Sequence, residues 1–498
     1  MIPRPGVTIN RLVTGVPGLD EVLGGGLPEY SFNLIAGAPG TGKTTLAQQI
    51  MYHLATPDRP VLHFTVLGEP SFKMLRYQQQ FSFFDHEKVG KSVHYTNLSD
   101  VALEQDLGAV LDRIVHDVQQ LNPGVVVVDS FRSVLGAAGA QRAPGMEVNG
   151  LLQRLSVQLT TWQATTFLIG EYLESEMRDN PVFTVADGIL WLYQSIDRNS
   201  SVRKLQALKM RGQATLPGLH TMRITSDGIQ VFPRIIKRLA EPTAPRSTER
   251  LSVGVPEVDG MLGGGIRIYD SVLVAGPAGS GKSALATQFI TEGLKRGEPG
   301  VIAVFEERPK EYVARANEFG LDLATKIDEG LLQVIYLRPL DLSVDEALLA
   351  IQEAINRIGA QRLVIDSLSG FELALAPTFR EEFRESLYRM VGALTGSGVT
   401  VFMTAEVAQS FVDLQFSPSL VSFLTDDIIL QRYVELNGQL RKVMAVVKMR
   451  GSQHSKELRL YEVTEHGLEV GEPLTDYVGI ITGVAQRRAV DPDGTKAP

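Results

Sequence analysis

Short apolar runs punctuate this chain at intervals too long for hairpins. Residues 31–36, 61–66, 125–129 and 165–169 are dominated by valine, leucine, isoleucine, phenylalanine and threonine. Residues 271–275, 301–305, 363–366 and 399–404 repeat that texture. Helix-like stretches lie between them, among them 46–53, 101–120 and 150–163. Apolar strands alternating with helices predict an α/β fold, a mostly parallel sheet with helices on both faces. Ligands of such sheets sit at the carboxyl ends of the strands.

The run that opens each series ends in a glycine loop. Gly37-Ala38-Pro39-Gly40-Thr41-Gly42-Lys43-Thr44 fits G-x-x-x-x-G-K-[ST], with Thr45 following. Gly276-Pro277-Ala278-Gly279-Ser280-Gly281-Lys282-Ser283 fits it again, with Ala284 following. A chance match arises in roughly one chain in fifty of this length, so two matches in strand–loop–helix context are not surface turns. Glycines let backbone amides converge on phosphate oxygens, and the helix N-terminus adds its dipole. Lys43 and Lys282 can reach the terminal phosphates of ATP. The Thr44 and Ser283 hydroxyls can ligate magnesium.

The chain is one unit written twice. Thr14-Gly15-Val16-Pro17-Gly18-Leu19-Asp20 recurs as Val253-Gly254-Val255-Pro256-Glu257-Val258-Asp259. Lys43 maps to Lys282, a shift of 282 − 43 = 239, and Lys209-Met210-Arg211-Gly212 maps to Lys448-Met449-Arg450-Gly451 at the same shift. A constant shift across a unit means tandem duplication. The expected domains are 1–240 and 249–484, with a proline-containing linker at 241–248. Residues 485–498 read as a disordered polar tail.

Candidate chemistry differs between the copies. In the second, the run 301–305 ends in Glu306-Glu307, carboxylates that could activate a nucleophile facing a γ-phosphate. The run 363–366 ends in Asp366, a Walker-B-like magnesium ligand, and Asp129 is its counterpart. At the 239 shift, Glu306 and Glu307 become Leu67 and Gly68. Leu67 cannot take a proton from water, so the first unit is expected to bind ATP and hydrolyse it slowly. Glu69, one residue on, is the alternative acid. The repeated Lys209-x-Arg211 and Lys448-x-Arg450 pairs read as charge stabilisers for phosphoryl transfer, or else as basic strand ends.

The 498 residues carry a net charge of −9, with no basic, aromatic-interleaved stretch for single-stranded nucleic acid. There is no cysteine, which excludes disulfides and thiolate chemistry. No apolar run nears the ~20 residues that span a bilayer. Residues 1–12 lack a signal-peptide pattern. These features read as a cytoplasmic protein with no membrane association. Neither His-Arg-Asp nor Asp-Phe-Gly occurs, so any kinase activity must run from a P-loop.

From about residue 6 to 484, these motifs resemble the KaiC family of circadian clock proteins. The tandem P-loops, both Gly-Val-Pro openings, Glu306-Glu307, Asp366-Ser367-Leu368-Ser369 and both Lys-Met-Arg-Gly motifs carry the resemblance. So does the stretch from Thr425-Asp426-Asp427 to Gly451-Ser452-Gln453-His454. The resemblance implies two RecA-like domains, a two-tiered hexamer with ATP at subunit interfaces, ATPase activity and serine/threonine autophosphorylation in the second tier. It implies that Glu306 with Glu307 supplies the base and that Lys448 with Arg450 reaches the γ-phosphate of a neighbouring subunit. Ser422 stands at the family's acceptor serine and Phe423 at its acceptor threonine, so a single-site version on Ser422 is implied. Thr425 and Ser419 are nearby substitutes. Two other readings stay open: a nucleotide-gated scaffold for signalling partners, and a RecA-like DNA-dependent ATPase.

Overall fold

The computed structural model describes residues 9–65, 71–99, 101, 107–132, 150, 153–155, 157–158, 161, 163–197, 200–234, 248–318, 320–337, 342–375, 377–380, 383–407, 425–480 and 486–487. The chain divides into two units, Met1–Arg234 and Ile235–Pro498.

The first unit is built on a nine-stranded sheet. Its strands are β1 (Phe32–Gly37), β2 (Val61–Thr65), β3 (Val93–Asn97), β4 (Val125–Asp129), β5 (Thr165–Glu171), β6 (Gly188–Asp197), β7 (Ser200–Met210), β8 (His220–Thr225) and β9 (Gly228–Phe232). The spatial order is β3-β2-β4-β5-β1-β6-β7-β8-β9. Pairings from β3 to β6 are parallel, and those from β6 to β9 are antiparallel.

The second unit repeats this with β10 (Ser271–Gly276), β11 (Gly300–Val304), β12 (Leu332–Tyr336), β13 (Arg362–Asp366), β14 (Thr400–Glu406), β15 (Asp427–Leu436), β16 (Gln439–Met449), β17 (Arg459–Thr464) and β18 (Gly467–Pro473). Its order, β12-β11-β13-β14-β10-β15-β16-β17-β18, is the first unit's order with nine added to each label. The expected parallel sheets are therefore present. The antiparallel extensions β7–β9 and β16–β18 were not foreseen from the apolar runs.

The apolar runs form central strands because both faces are covered. Val125, Val126, Val127 and Val128 are all fully buried, alternating between two clusters on opposite faces of the sheet. Burial of each such side chain is worth roughly 1.5–3 kcal/mol. One cluster takes in Ile50 and Met51 of helix α1 (Lys43–Leu54), and the other Ile114 and Val118 of α2 (Leu107–Leu121). In the second unit, α3 (Lys282–Lys295) buries Leu285, Phe289 and Ile290 in the same way. Among the described residues, no helix is long and apolar enough to cross a membrane.

Candidate functional site

The two glycine loops join β1 to α1 and β10 to α3, at the carboxyl ends of adjoining parallel strands. Gly42 and Gly281 start the helices at φ 99° and 100°, a left-handed geometry that a side chain would strain. Neither helix has a side-chain N-cap or an acidic residue in its first turn. By contrast, α4 (Val344–Ile358) begins with a full capping box from Ser343 and Glu346. The loop helices thus keep their first amides and dipole uncommitted, as an anion-binding end requires. That arrangement fits the phosphates of ATP.

The predicted loop residues gather around each turn. Lys43 Nζ donates to Ala38 O at 2.7 Å, and Thr41 Oγ1 donates to the same carbonyl at 2.9 Å. Lys282 Nζ donates to Gly276 O and Pro277 O at 2.9 and 2.8 Å. Ser280 is buried and bonds Gln431 Oε1 at 3.1 Å. Burial lowers the Lys43 ammonium pKa, opposed by the charges of Glu171 and Asp129. Burial lowers that of Lys282 too, opposed by Glu406, Asp366 and Glu306. Gly37, Gly40 and Thr45, like Gly276, Gly279, Ser283 and Ala284, lie on these loops and first turns.

The candidate magnesium ligands differ in their contacts. Thr44 Oγ1 donates to Asp129 Oδ2 at 2.7 Å, so hydroxyl and carboxylate already share one side of the first loop. In the second unit Asp366 Oδ1 instead accepts from Thr404 Oγ1 at 2.5 Å. Among the described residues no three histidine or acidic side chains cluster as a metal cage. A magnesium ion here would rely on phosphate and water for most of its ligands.

Glu306 and Glu307 part company. Ser367 Oγ donates to Glu306 Oε1 at 2.9 Å, and Lys282 feels the Glu306 charge. Glu307 turns away to pair with Arg315 on α5 (Pro309–Glu318), whose guanidinium lies 4.9 Å from the Tyr312 ring centroid. Only Glu306 of the pair faces the loop. Its place depends on Gly370, where an added Cβ would come within 2.5 Å of Glu306 Oε1. Gly370→Ala is therefore expected to displace this carboxylate and to cut turnover roughly ten-fold with ATP affinity nearly intact. Steady-state ATPase with nucleotide titration checks this; unchanged turnover would remove Glu306 from the chemistry.

The Lys-x-Arg pairs are not brought to the loop of their own unit. Lys448 pairs in register with Ile428, and Met449 with Asp427, at the start of β15 beside Val272. The loop leaves β10 at Gly276, three residues beyond Leu273, which is level with Lys448, and five beyond Ser271, which is level with Arg450, or roughly 10 and 16 Å along the strand. There Lys448 Nζ bonds the Thr425 carbonyl, and Arg450 faces Asp426 at 3.6 Å. In the first unit Lys209 bonds Thr184 O at 3.1 Å, and Arg211 bonds Asp187 at 2.9 Å, at the same end of the sheet. Thr425 is buried beside Lys448. Ser422, Phe423 and Ser419 lie outside the described residues, as do Leu67, Gly68 and Glu69.

Two acids escaped the sequence reading. Glu171 ends β5 in register with Gly37, and Glu406 ends β14 in register with Gly276. Each is exposed at the mouth of its loop.

Two parallel sheets, each with a P-loop, a lysine and a strand-end aspartate, define a tandem RecA-like ATPase. The family model for "ATPase: KaiC" matches the chain twice, over residues 12–235 and 251–475. The chain belongs to the KaiC family. It is similar to "Circadian clock oscillator protein KaiC" of Picosynechococcus sp., 30% identical over 491 residues, covering 97% of this chain and 94% of the relative. The protein of that name from Rippkaea orientalis is 30% identical over 97% of this chain and 93% of its own length. "Circadian clock oscillator protein KaiC 1" of Synechocystis sp. is also 30% identical, over 98% of this chain and 94% of its own.

Proposed function

We propose that this chain is an ATP-driven signalling or timing switch. It assembles as a hexamer with ATP and magnesium at subunit interfaces. The second unit hydrolyses ATP and transfers its γ-phosphoryl group to Ser422, while the first mainly binds ATP. Thr44 with Asp129 and Ser283 with Asp366 hold magnesium. Glu306 accepts the nucleophile's proton.

The observation that carries this reading is the position of Lys448 and Arg450. By strand register Lys448 stands roughly 10 Å, and Arg450 roughly 16 Å, along the sheet from the loop of their own unit. Two cations so far from their own loop are suited to a neighbour's γ-phosphate in a head-to-side ring. The relatives named as circadian clock oscillator proteins support the switch role. Leu67 and Gly68 favour a second reading for the first unit alone, a nucleotide-gated scaffold. A DNA-dependent ATPase is disfavoured by the net charge of −9.

Light scattering with and without Mg-ATP tests the assembly, and intact mass after incubation tests the transfer. The expected result is an ATP-dependent hexamer that gains one phosphoryl group per chain, lost in Ser422→Ala. Such a group adds roughly −1.5 to −2 charges at one site, enough to shift an interface. A chain that stays monomeric, or a mass gain untouched by Ser422→Ala, overturns the corresponding part.

A further inference from the structure

The first unit has lost the Glu306 equivalent, yet its loop still faces a carboxylate. Glu171 pairs in register with Gly37, the residue from which the loop departs. Its strand tip is held from the Walker-B side. Arg132 Nη1 donates to the Glu171 carbonyl at 2.6 Å and to Glu176 Oε2 at 2.9 Å. The Arg132 guanidinium also lies 5.5 Å from the Tyr172 ring centroid. The second unit holds the same tip by other means, with Glu406 N–H donating to Ser369 Oγ at 3.0 Å. Different residues thus hold the same strand tip beside both loops.

The surroundings of the two acids differ. Lys282 feels the charges of Glu406, Asp366 and Glu306, whereas Lys43 feels those of Glu171 and Asp129. Asp129 is engaged by Thr44 at 2.7 Å, on the magnesium side. Glu171 is exposed, and its charge, ahead of that of Asp129, opposes the lowering of the Lys43 pKa by burial.

We propose that Glu171 is the carboxylate that orients and deprotonates the attacking water in the first unit. The proposal rests on ATP binding at that loop. Water oxygen forms a bond to the γ-phosphorus as the bond to the β,γ-bridging oxygen breaks. ADP leaves with that electron pair, and the water proton passes to Glu171. The acid returns it to solvent when phosphate departs. Glu171 approaches from the β5 side of the loop, not from the strand that carries Glu306 in the second unit. Hydrolysis in the first unit is expected to be slow, because among the described residues no side chain bonds the Glu171 carboxylate as Ser367 bonds Glu306, which leaves it loosely aimed.

The test uses full-length Lys282→Ala, in which the first unit alone turns over, against Lys282→Ala/Glu171→Gln and Lys282→Ala/Glu171→Asp. ATP affinity, ADP–aluminium fluoride affinity and ATPase turnover are measured. The expected result for Glu171→Gln is ATP affinity within about three-fold, with residual turnover and analogue affinity both at least ten-fold down. Glu171→Asp recovers part of each. Residual turnover and analogue binding unchanged by Glu171→Gln overturn the proposal. So does a Lys282→Ala protein that binds ATP and never hydrolyses it, which leaves the nucleotide reading intact. Loss of ATP binding at the first loop of Lys282→Ala overturns both.

Discussion

Lys282→Ala removes at least nine-tenths of the ATP turnover of this protein while the first unit stays loaded. The ammonium sits against the Gly276 and Pro277 carbonyls at the mouth of the second loop. Its burial raises its electrostatic value for a phosphate, because fewer water dipoles screen it. Removing one such preorganised group costs roughly 10²–10³ in rate in comparable sites. The residual rate belongs to the first unit, where Leu67 stands in sequence at the place of Glu306. Nucleotide content separates the units: two nucleotides per chain in the parent, and one, mainly ATP, in the variant. Full turnover in Lys282→Ala would mean that the working acid lies in the first unit, contrary to the division of labour proposed above.

Much of that arrangement can be read from residue order. The loops, Asp129, Asp366 and Glu306 follow continuous apolar runs, and such runs betray central strands because both faces are buried. The outer strands gave no such signal. β7 alternates buried, intermediate and exposed residues over Ser200–Met210, because one sheet edge is only half covered. Glu171 and Glu406 were invisible for a related reason. A single glutamate after an apolar run looks like any strand end, and only the registers Gly37–Glu171 and Gly276–Glu406 bring it to the loop. The split of Glu306 from Glu307 hangs on Arg315 and Gly370, neither of which belongs to a motif. The Lys-x-Arg repeats were visible as a repeated motif, but their distance from the loop came from strand pairing alone.

Strand pairing also exposes a cost specific to the second unit. Asp427→Asn stabilises that unit above neutral pH and flattens its pH dependence. Asp427 opens β15 fully buried, and among the described residues neither carboxylate oxygen meets a donor in full hydrogen-bond geometry. Burial, then the charges of Asp270 and Asp426, push its pKa up to about 7; the Arg450 backbone N–H and the Arg250 charge oppose this. At the 239 shift the first unit has Gly188 there, with Ser31 and Asn33 in place of Asp270 and Val272. Asn33 Nδ2 bonds Ser31 Oγ at 2.8 Å, so amide and hydroxyl stand where the second unit has Val272 and Asp270, and among the described residues only Asp187, paired with Arg211, carries an acid there. The folded state of the second unit prefers protonated Asp427, and the unfolded chain ionises near the ordinary aspartate value. The stability from the protonated form is therefore complete below about pH 4 and is lost as pH rises through about 7. A shift of about three units corresponds to roughly 4 kcal/mol. Denaturant unfolding of the second unit should show the parent losing on that order between pH 4 and 8, with Asp427→Asn nearly level and the more stable of the two at pH 8. Burial, then the Arg450 charge, lowers the Lys448 pKa and the charges of Asp426 and Asp427 oppose this, so the same ionisation that weakens the fold favours the Lys448 ammonium. Equal pH slopes for parent and variant would show that Asp427 is not the group that titrates.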